Sequence, residues 1–443
     1  MDNVLNDEDT IKLNEEQQRA YDLMMLGNNM FITGSAGTGK SSAVFKFIED
    51  LKKQNKDKNI VVTAPTGIAA INIGGATFHS TFKYPVKPIL KSDKEYDNIK
   101  VKFAKIWDIV DVIVIDEVSM LRVDVFDLFC YQLKSIEKRQ NRHIQLILIG
   151  DFFQLAPVIH PLHMDALMMD YNNIKITRGF IFTSQYWMNL GLKPIYLREV
   201  IRQKDEEFVK NLELVKVGNV EGIRWINQHA KISSIPDDKS IILCSTNKEV
   251  EEINNRKLRE IDCESEFFEA TEIIIPGREE EISENSLPNS RLVELKVGAR
   301  VTSLRNDKNR AYQNGSLGTV LGIDVKAGSV TVQFDNGNRR DVHICTWDIK
   351  VFDKDEKGKL KEVVIDSFTQ IPLKLAYAVT IHKSQGQTYD SIIIQPDKIF
   401  APGQLYVALS RCKSISGITL TSPIRENTRN IAYPVVKEFY GVN

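Results

Sequence analysis

The 443-residue sequence lacks several features that mark other classes of protein. It has no apolar run near the roughly 20 residues that a membrane-spanning helix needs, so we expect no membrane contact. Its five cysteines are scattered without paired metal-ligand spacing, which suits a reducing compartment and predicts no structural zinc. The N-terminal residues (MDNVLNDEDTIKLNEEQQ) are acidic and polar rather than leader-like, so we expect a cytoplasmic protein.

The sequence also lacks an excess of charge of either sign. It has 58 lysines and arginines against 59 aspartates and glutamates, for a net charge of -1. Composition therefore gives no support for binding to nucleic acid, although a basic stripe is compatible with a balanced total. Any case for a nucleic-acid partner must come from motifs.

What is present is an alternation of short apolar runs with helical patterns. The runs in the first half, MFITG, IVVTA, VIVID and QLILIG, are continuous, which is typical of strands in a parallel sheet covered on both faces. A second alternation begins near Pro194 and resumes after residue 370 with AYAVTIHKSQG and SIIIQ. The pattern predicts an α/β fold with two parallel-sheet lobes.

A different pattern interrupts the second alternation. Residues 297–370 show short strands and tight turns, and an Asn-Gly turn follows the alternating Val330, Val332 and Phe334. This indicates a small β-barrel inserted in the second lobe. We therefore expect a first lobe at 1–193 with a small insertion near 78–105, a second lobe at 194–296 and 371–443, and the inserted β-barrel at 297–370.

A phosphate-binding loop follows the first apolar run. Residues 34–41 (GSAGTGKS) match GxxxxGK[ST] between a predicted strand and a predicted helix. The glycines allow backbone N–H groups to wrap phosphates, and the helix N-terminus favours anions. In this context we expect Lys40 to reach the β- and γ-phosphates of a nucleotide and Ser41 to bind Mg²⁺.

Two later strand ends carry polar side chains that complete such a site. Asp116 and Glu117 follow VIVI, where a carboxylate that holds Mg²⁺ and a general base belong. Gln154 follows QLILIG and is a candidate sensor of the γ-phosphate. Without the phosphate loop, a surface acidic pair and a solvated glutamine would explain both motifs equally well.

These motifs alone leave other phosphate-loop enzymes open. A guanine-nucleotide switch needs Asn-Lys-x-Asp, and the near match at 247–250 (NKEV) lacks the aspartate and lies late in the chain. A small-molecule kinase would hardly need a second α/β lobe of this size.

The complete set of motifs resembles that of superfamily-one DNA helicases, specifically the Pif-type family. The resemblance covers nearly the whole chain and departs at Ala156, where the family usually has proline. It is carried by the segments LNEEQ (13–17), GSAGTGKS (34–41), TAPTGIAA (63–70), ATFHSTF (76–82), IDEVSM (115–120), the helical segment 121–140, GDFFQLAPV (150–158), YLREVIRQ (196–203), AYAVTIHKSQGQT (376–388) and LYVALSRC (405–412).

The resemblance implies two RecA-like lobes that close on ATP and Mg²⁺, and a Src-homology-like inserted barrel. It implies Gln17 as the adenine reader and Arg202 and Arg411 as arginine fingers that reach across from the second lobe. The implied catalytic residues are Lys40, Glu117, Gln154, Arg202 and Arg411. The implied nucleotide-binding residues are Gln17, Gly34, Gly37, Thr38, Gly39, Lys40, Ser41, Ser42 and Gly386, with Ser41 and Asp116 on Mg²⁺.

The resemblance further implies a monomer that moves 5′ to 3′ on single-stranded DNA. Forked or tailed duplexes are the expected substrates, with G-quadruplexes a further candidate. The implied strand-binding residues are Thr66, Gly67, His79, Thr380, His382, Lys383 and Ser384. Phe78, Phe82 and Tyr84 are base-stacking candidates, although aromatic residues after a strand are more often part of the core. The barrel turns carry charged side chains that either contact DNA or are simply solvated: Arg305, Lys308, Arg310, Arg339 and Arg340. The alternatives are an RNA helicase, a nucleic-acid-stimulated ATPase without strand separation, and a passive single-strand-binding protein with a decayed ATPase.

Overall fold

The secondary structure follows the apolar periodicity of the sequence. The computed structural model describes residues 12–233, 240–274, 287–309, 311–354, 360–427 and 431–442. The helices are α1 (Glu15–Met25), α2 (Lys40–Gln54), α3 (Gly67–Asn72), α4 (Phe78–Phe82), α5 (Tyr96–Val101), α6 (Val123–Gln140), α7 (Pro161–Asp170), α8 (Ile174–Thr177), α9 (Glu206–Lys216), α10 (Val220–His229), α11 (Asn247–Arg259), α12 (Gln404–Leu409) and α13 (Pro434–Tyr440).

The strands are short. They are β1 (Met30–Gly34), β2 (Ile60–Ala64), β3 (Ala76–Thr77), β4 (Val112–Ile115), β5 (Gln145–Ile149), β6 (Lys193–Leu197), β7 (Lys231–Ile232), β8 (Ile241–Cys244), β9 (Glu266–Glu269), β10 (Thr271–Ile274), β11 (Leu292–Leu295), β12 (Arg300–Ser303), β13 (Leu317–Asp324), β14 (Ser329–Phe334), β15 (Arg339–His343), β16 (Cys345–Lys354), β17 (Leu360–Gln370), β18 (Leu373–Leu375), β19 (Ala378–Thr380), β20 (Ile392–Ile394) and β21 (Ile418–Leu420).

The first lobe is built on a parallel sheet with the strand order β3-β2-β4-β5-β1-β6. Its central strands β2, β4 and β5 are buried along their whole length. Helices α1 and α2 cover one face through residues such as Met24 and Phe47, and α6 covers the other through Phe126 and Phe129. The continuous apolar runs therefore form the two-sided core that the sequence predicts.

Strand β6 corrects the predicted boundary between the lobes. Residues 193–197 pair in parallel with β1, so they form the edge of the first sheet rather than the start of the second lobe. Ile195 and Leu197 pack in the same cluster as Met30 and Ile32. The apolar pattern of this segment identifies a strand, but the pattern does not identify the sheet to which the strand belongs.

The second lobe contains another parallel sheet, with the order β19-β8-β20-β21-β7. Helices α9, α10 and α12 pack against it through residues such as Phe208, Ile223 and Val407. The two parallel sheets with helices confirm the predicted two-lobed α/β class.

The inserted β-rich module differs in detail from the expected barrel. Five antiparallel strands are ordered β15-β14-β13-β12-β18, and Val330, Val332 and Phe334 on β14 are all buried, as their alternation predicts. Strands β16 and β17 instead form a separate sheet with β10, so the range 297–370 does not delimit one sheet. Within the described residues no hydrogen bonds join the edge strands β15 and β18, and closure into a barrel stays a prediction.

The C-terminal segment returns to the first lobe, although the sequence pattern placed all of 371–443 in the second. In α13, Val436 is fully buried in the first-lobe core. Phe439 stacks on Phe182 with ring centroids 4.4 Å apart, and Tyr440 stacks on Phe153 at 5.0 Å. A seven-residue helix carries too little pattern to reveal its packing partner.

The aromatic residues of the insertion near 78–105 are core residues, which corrects their assignment as base-stacking candidates. Phe78 and Phe82 are fully buried, with ring centroids 4.9 Å apart. Tyr84 is 6% exposed and its hydroxyl donates to Gln132 Oε1 over 2.8 Å. None of the three rings has a face free for a nucleobase.

No helix in the described parts of the chain has both the length and the apolar character needed to cross a membrane.

Candidate nucleotide site and strand groove

The phosphate loop connects β1 to α2 in a conformation that requires glycine. Gly37 and Gly39 have φ values of 83° and 68°, and a Cβ on Gly34 would lie 2.2 Å from the carbonyl oxygen of Leu197. Lys40 opens α2 and its Nζ donates to the carbonyl oxygens of Gly34 and Ser35, each over 3.0 Å. The lysine side chain is thus folded over the loop. Burial lowers the pKa of Lys40, against the opposing effect of the nearby carboxylates.

The remaining loop residues are close to one another. Gln17 is buried, and its Nε2 donates to the carbonyl oxygen of Thr38 over 3.1 Å. Thr38 Oγ1 donates to the Ser35 carbonyl oxygen over 3.0 Å, and the Ser42 N–H donates to that of Gly39 over 3.0 Å. The structure therefore places the expected adenine reader directly against the phosphate loop.

The two acidic residues lie at the end of β4, facing the loop. Ser41 Oγ donates to Asp116 Oδ2 over 3.4 Å. A hydroxyl and a carboxylate are the oxygen ligands that Mg²⁺ takes beside substrate phosphates. No group of three or more His, Cys, Asp and Glu side chains able to hold a metal occurs in the described residues.

Glu117 has a strained and buried setting. Its φ of 50° lies in the left-handed region, and its N–H donates to Asp116 Oδ1 over 2.8 Å. Backbone strain of this kind clusters at functional sites. Burial, reinforced by the charge of Asp116, raises the pKa of Glu117 to about 7. A carboxylate with that pKa is suited to accept a proton near neutral pH.

Gln385, which sequence reasoning did not single out, connects the two lobes at this point. Its Nε2 donates to Glu117 Oε2 over 2.7 Å and to Gln154 Oε1 over 3.1 Å. Gln154 in turn donates to Asp151 Oδ2 over 3.4 Å. The available signal was the position of Gln385 inside the motif-like segment 376–388, immediately before Gly386.

The two candidate arginine fingers lie next to each other beyond Gln385. Arg411 is 1% exposed, and its guanidinium donates to the carbonyl oxygen of Val407 over 2.9 Å and to Ser410 Oγ over 2.8 Å. Burial, together with the neighbouring Arg202, lowers the pKa of Arg411 to about 9. The two guanidinium groups lie close together and have few compensating negative charges. An anionic ligand between the lobes would therefore stabilise both of them.

The position of Arg202 corrects one expectation. Its backbone N–H donates to the carbonyl oxygen of Gly37 over 3.3 Å, so its backbone belongs with the phosphate loop and not with the second lobe. The guanidinium crosses the cleft, donating to the carbonyl oxygens of Ser410 over 3.1 Å and Gly386 over 3.4 Å. Gly386 therefore contacts the site through its carbonyl oxygen, which accepts a hydrogen bond from Arg202.

The predicted strand-binding residues of the first lobe surround the start of α3 and α4. Gly67 is the first residue of α3, and Thr66 Oγ1 accepts the N–H of Ala69 over 3.3 Å. His79 lies in α4, and its buried Nε2 has no hydrogen-bond partner among the residues that the structure describes. Burial, reinforced by the charge of Arg122, lowers the pKa of His79, so its ring is neutral at pH 7.

The second-lobe candidates divide into two groups. Thr380 and the exposed Lys383 line a groove of about 330 Å³ between the second lobe and the β-rich module. His382 is half-buried, and burial lowers its pKa. Ser384 is fully buried and its hydroxyl donates to the carbonyl oxygen of Ile381 over 2.8 Å, so the structure assigns it to the turn and not to a strand contact.

The same groove contains residues that the sequence did not point to. Lys374 lies on its wall, and Trp347 has a buried Nε1 that finds no hydrogen-bond partner in the described parts of the chain. Among the barrel-turn candidates, Arg305 stacks over Trp347 at 5.5 Å. Lys308, Arg339 and Arg340 are exposed on the module, and Arg310 lies outside the described residues.

The site combines a phosphate loop, two acidic residues at the end of β4 and two neighbouring arginines at the interface of two parallel-sheet lobes. These features define the class of protein as a two-lobed phosphate-loop nucleotide hydrolase. Comparison with known proteins is more specific. The PIF1-like helicase family matches residues 12–228. The ATP-dependent DNA helicase Pif1 of Bdellovibrio bacteriovorus is 34% identical, over 97% of this chain and 92% of that protein. The human ATP-dependent DNA helicase PIF1 is 32% identical over 92% of this chain, which spans 60% of the human protein.

Solved structures agree. A Bacteroides Pif1 in complex with ADP-AlF4 has a TM-score of 0.82 and 32% identity over 97% of both chains. A Bacteroides Pif1 bound to single-stranded DNA has a TM-score of 0.65 at 31% identity over 97% of both chains. The chain belongs to the PIF1-like helicase family.

Proposed function

We propose that this chain is an ATP-dependent DNA helicase that moves 5′ to 3′ on single-stranded DNA and unwinds the duplex ahead of it. The observation that carries the proposal is the composite site at the lobe interface. There Gln385 joins the base Glu117 to Gln154, and Arg411 lies beside Arg202. Such a site is complete when the lobes are closed, so its chemistry is coupled to their relative position.

In the proposed reaction each residue acts on ATP as follows. Lys40 and the loop amides hold the β- and γ-phosphates, while Gln17 binds the adenine. Ser41 and Asp116 would hold Mg²⁺, which would supply positive charge to neutralise the phosphates. Glu117 takes a proton from the attacking water, and the two arginines stabilise the charge that spreads over the γ-phosphate oxygens.

Hydrolysis then releases the lobe interface. Loss of the γ-phosphate removes the anion that holds Arg411 and Arg202 together, and Gln154 and Gln385 lose their shared contact with it. The lobes separate, and strand contacts at Thr66, Gly67 and His79 move relative to those at Thr380, His382 and Lys383. Alternating grip on the phosphates would advance the protein without reading bases, since phosphate contacts carry no sequence information.

The substrates are proposed from chemistry and family. One solved relative is described as unwinding forked double-stranded DNA by two coordinating Pif1 helicases. We propose tailed and forked duplexes as substrates for this chain, G-quadruplexes as a further one, and a monomer as the unit that hydrolyses ATP. The five free cysteines favour a reducing, cytoplasmic location.

The proposal is tested by ATPase rates without nucleic acid, with single-stranded DNA and with RNA, followed by unwinding of tailed duplexes. We expect stimulation by DNA and ATP-dependent strand separation. Stimulation by RNA alone would indicate an RNA helicase. Tight DNA binding without hydrolysis would indicate a single-strand-binding protein and contradict the proposal.

A further inference from the structure

The phosphate loop and the strand end before it are held by side chains from distant parts of the chain. Lys216 Nζ donates to Ser35 Oγ over 2.8 Å. The Ala36 N–H donates to Tyr406 Oη over 2.9 Å. Just before them, the hydroxyls of Thr33 and Tyr440 share a hydrogen bond of 2.8 Å. Three of four consecutive residues are thus bonded to partners more than 170 positions away, and none of these partners belongs to the expected catalytic set.

Two of the partners belong to the second lobe. Lys216 ends α9, whose Phe208, Leu212 and Val215 are buried in the second-lobe core. Tyr406 lies in α12, in which every residue is buried. Because both helices are fixed in the second lobe, their contacts with the loop exist only while the lobes are close together.

Tyr440 connects the loop to the segment that carries Gln154. Its ring stacks on Phe153 at an interplanar angle of 17°, and its hydroxyl accepts the N–H of Phe152 over 3.4 Å. Lys216 Nζ lies 5.2 Å from the centre of the same Phe153 ring. The loop and the γ-phosphate sensor segment therefore share one set of supports.

The charge of Lys216 is compensated within this group. Its side chain is 12% exposed. Burial disfavours the charge, but the carboxylate of Asp151 offsets this effect and the pKa of Lys216 is raised. The lysine is therefore a charged donor at any working pH. An isolated buried ammonium would be strongly unfavourable without such a partner.

We propose that Lys216, Tyr406 and Tyr440 are positioning residues that set the phosphate loop in its ATP-binding geometry when the lobes close. The arginines act on the γ-phosphate, whereas these residues act on the protein side of the loop. Tyr406 fixes the Ala36 amide, and Lys216 fixes the Ser35 side chain. Closure of the lobes would thereby raise affinity for ATP as well as assemble the catalytic groups. This inference rests on the proposed function of the loop in ATP binding.

The test uses variants that remove one hydrogen bond each. Tyr406→Phe and Tyr440→Phe delete a hydroxyl but keep the ring, and Lys216→Met deletes the donor while Lys216→Arg restores one. Tyr171→Phe is the matched control, because it removes a hydroxyl bond to Asp127 that is remote from the loop. KM for ATP, kcat and the affinity for a fluorescent ADP analogue are measured with and without oligo-dT, beside thermal melting of each variant.

We expect KM for ATP in the absence of DNA to rise about five- to tenfold in Tyr406→Phe and Lys216→Met, which is the effect of one lost buried hydrogen bond. A rise no larger than this is expected with oligo-dT. The value of kcat should change by less than about threefold, and Lys216→Arg should recover part of the lost affinity. The inference would be overturned if Tyr406→Phe and Lys216→Met are folded and have the same KM for ATP and the same ADP-analogue affinity as Tyr171→Phe. Absence of ATPase activity in the parent protein would instead overturn the proposed function.

Discussion

Glu117 is the residue on which the proposed chemistry depends most. It is held in a left-handed conformation, with its carboxylate bonded to Gln385 from the other lobe. Glu117→Gln keeps the size of the side chain and an oxygen acceptor but removes the base. We expect ATP and DNA binding to persist while the single-turnover rate falls by about a hundredfold or more. Near-normal turnover would contradict the assignment; Glu49→Gln, an exposed change, is the control.

The paired arginines lead to a second prediction. Arg202→Ala and Arg411→Ala should each lower kcat by on the order of a hundredfold, with a much smaller change in ATP affinity, because the charge they stabilise develops during transfer. Arg224→Ala is the matched control, since Arg224 is an exposed second-lobe arginine paired with Glu426. If both variants hydrolyse ATP at the rate of the control in saturating single-stranded DNA, the two arginines do not take part in hydrolysis.

At the residue scale, the sequence predicts which residues lie together where the expected chemical role imposes a spacing. The loop from Gly34 to Ser41 and the pair Asp116 and Glu117 come together as expected, because phosphate and metal binding fix both residue types and their distance along the chain. Gln385 and Lys216 were missed because a glutamine or lysine acting across a lobe interface has no local pattern. Ser384 was misassigned because nothing in the motif distinguishes a buried turn hydroxyl from an exposed one.

At the scale of elements, the period of the apolar pattern predicts what a segment forms but not where it packs. The continuous runs of β2, β4 and β5 became buried parallel strands. The equally clear run at β6 was placed in the wrong lobe, and α13 packs on the lobe opposite to the one expected. Both errors concern long-range packing, which depends on the shapes of surfaces that a local pattern does not describe.

The groove between the second lobe and the β-rich module is the element that should respond to pH. Burial, with Lys383 nearby, lowers the pKa of Lys374 to about 8. A lysine is charged below its pKa, so Lys374 attracts a phosphate at pH 7 and loses that attraction as the pH rises through about 8. We expect affinity for oligo-dT, measured by fluorescence anisotropy at constant ionic strength, to fall several-fold between about pH 7 and 9.

Lys374→Met separates this effect from general alkaline weakening. The variant should bind oligo-dT more weakly at pH 7, lose most of the pH dependence, and show a salt slope reduced by about one. Lys248→Met is the control, because Lys248 is 86% exposed on α11 of the same lobe. If the affinity for oligo-dT depends equally on pH in Lys374→Met and Lys248→Met, Lys374 does not contact the DNA strand.

At the scale of the whole molecule, the arrangement of parts resembles relatives solved without a strand. Unliganded Pif1 from Bacteroides gives a TM-score of 0.81, whereas Bacteroides Pif1 bound to single-stranded DNA gives 0.65 at nearly the same identity to this chain. Since the identity and coverage are nearly equal, the lower score indicates a different arrangement of parts. The lobe-interface contacts of Gln385, Lys216 and Tyr406 belong to this arrangement.

The direction of movement depends on how the parts of the whole molecule are arranged. We expect this chain to move 5′ to 3′ along the bound strand. The hydrolysis chemistry does not set direction, because two lobes can run either way depending on which one grips while the cleft closes. Support comes from the family and from the insertions. The related branch that runs 3′ to 5′ carries large helical insertions in both lobes. Here α3 and β4 are separated by a short segment, and the second-lobe insertion is antiparallel β-structure.

The measurement uses two partial duplexes that are identical except for the tail, one with a 5′ and the other with a 3′ single-stranded overhang. ATP-dependent strand release is expected from the 5′-tailed substrate, because a protein loaded on that tail meets the duplex by moving 5′ to 3′. A blunt duplex and the Glu117→Gln variant control for end loading and for passive melting. Because a strand can only be displaced in the direction of travel, release confined to the 3′-tailed duplex would reverse the assigned polarity and show that lobe architecture and insertion type do not determine it.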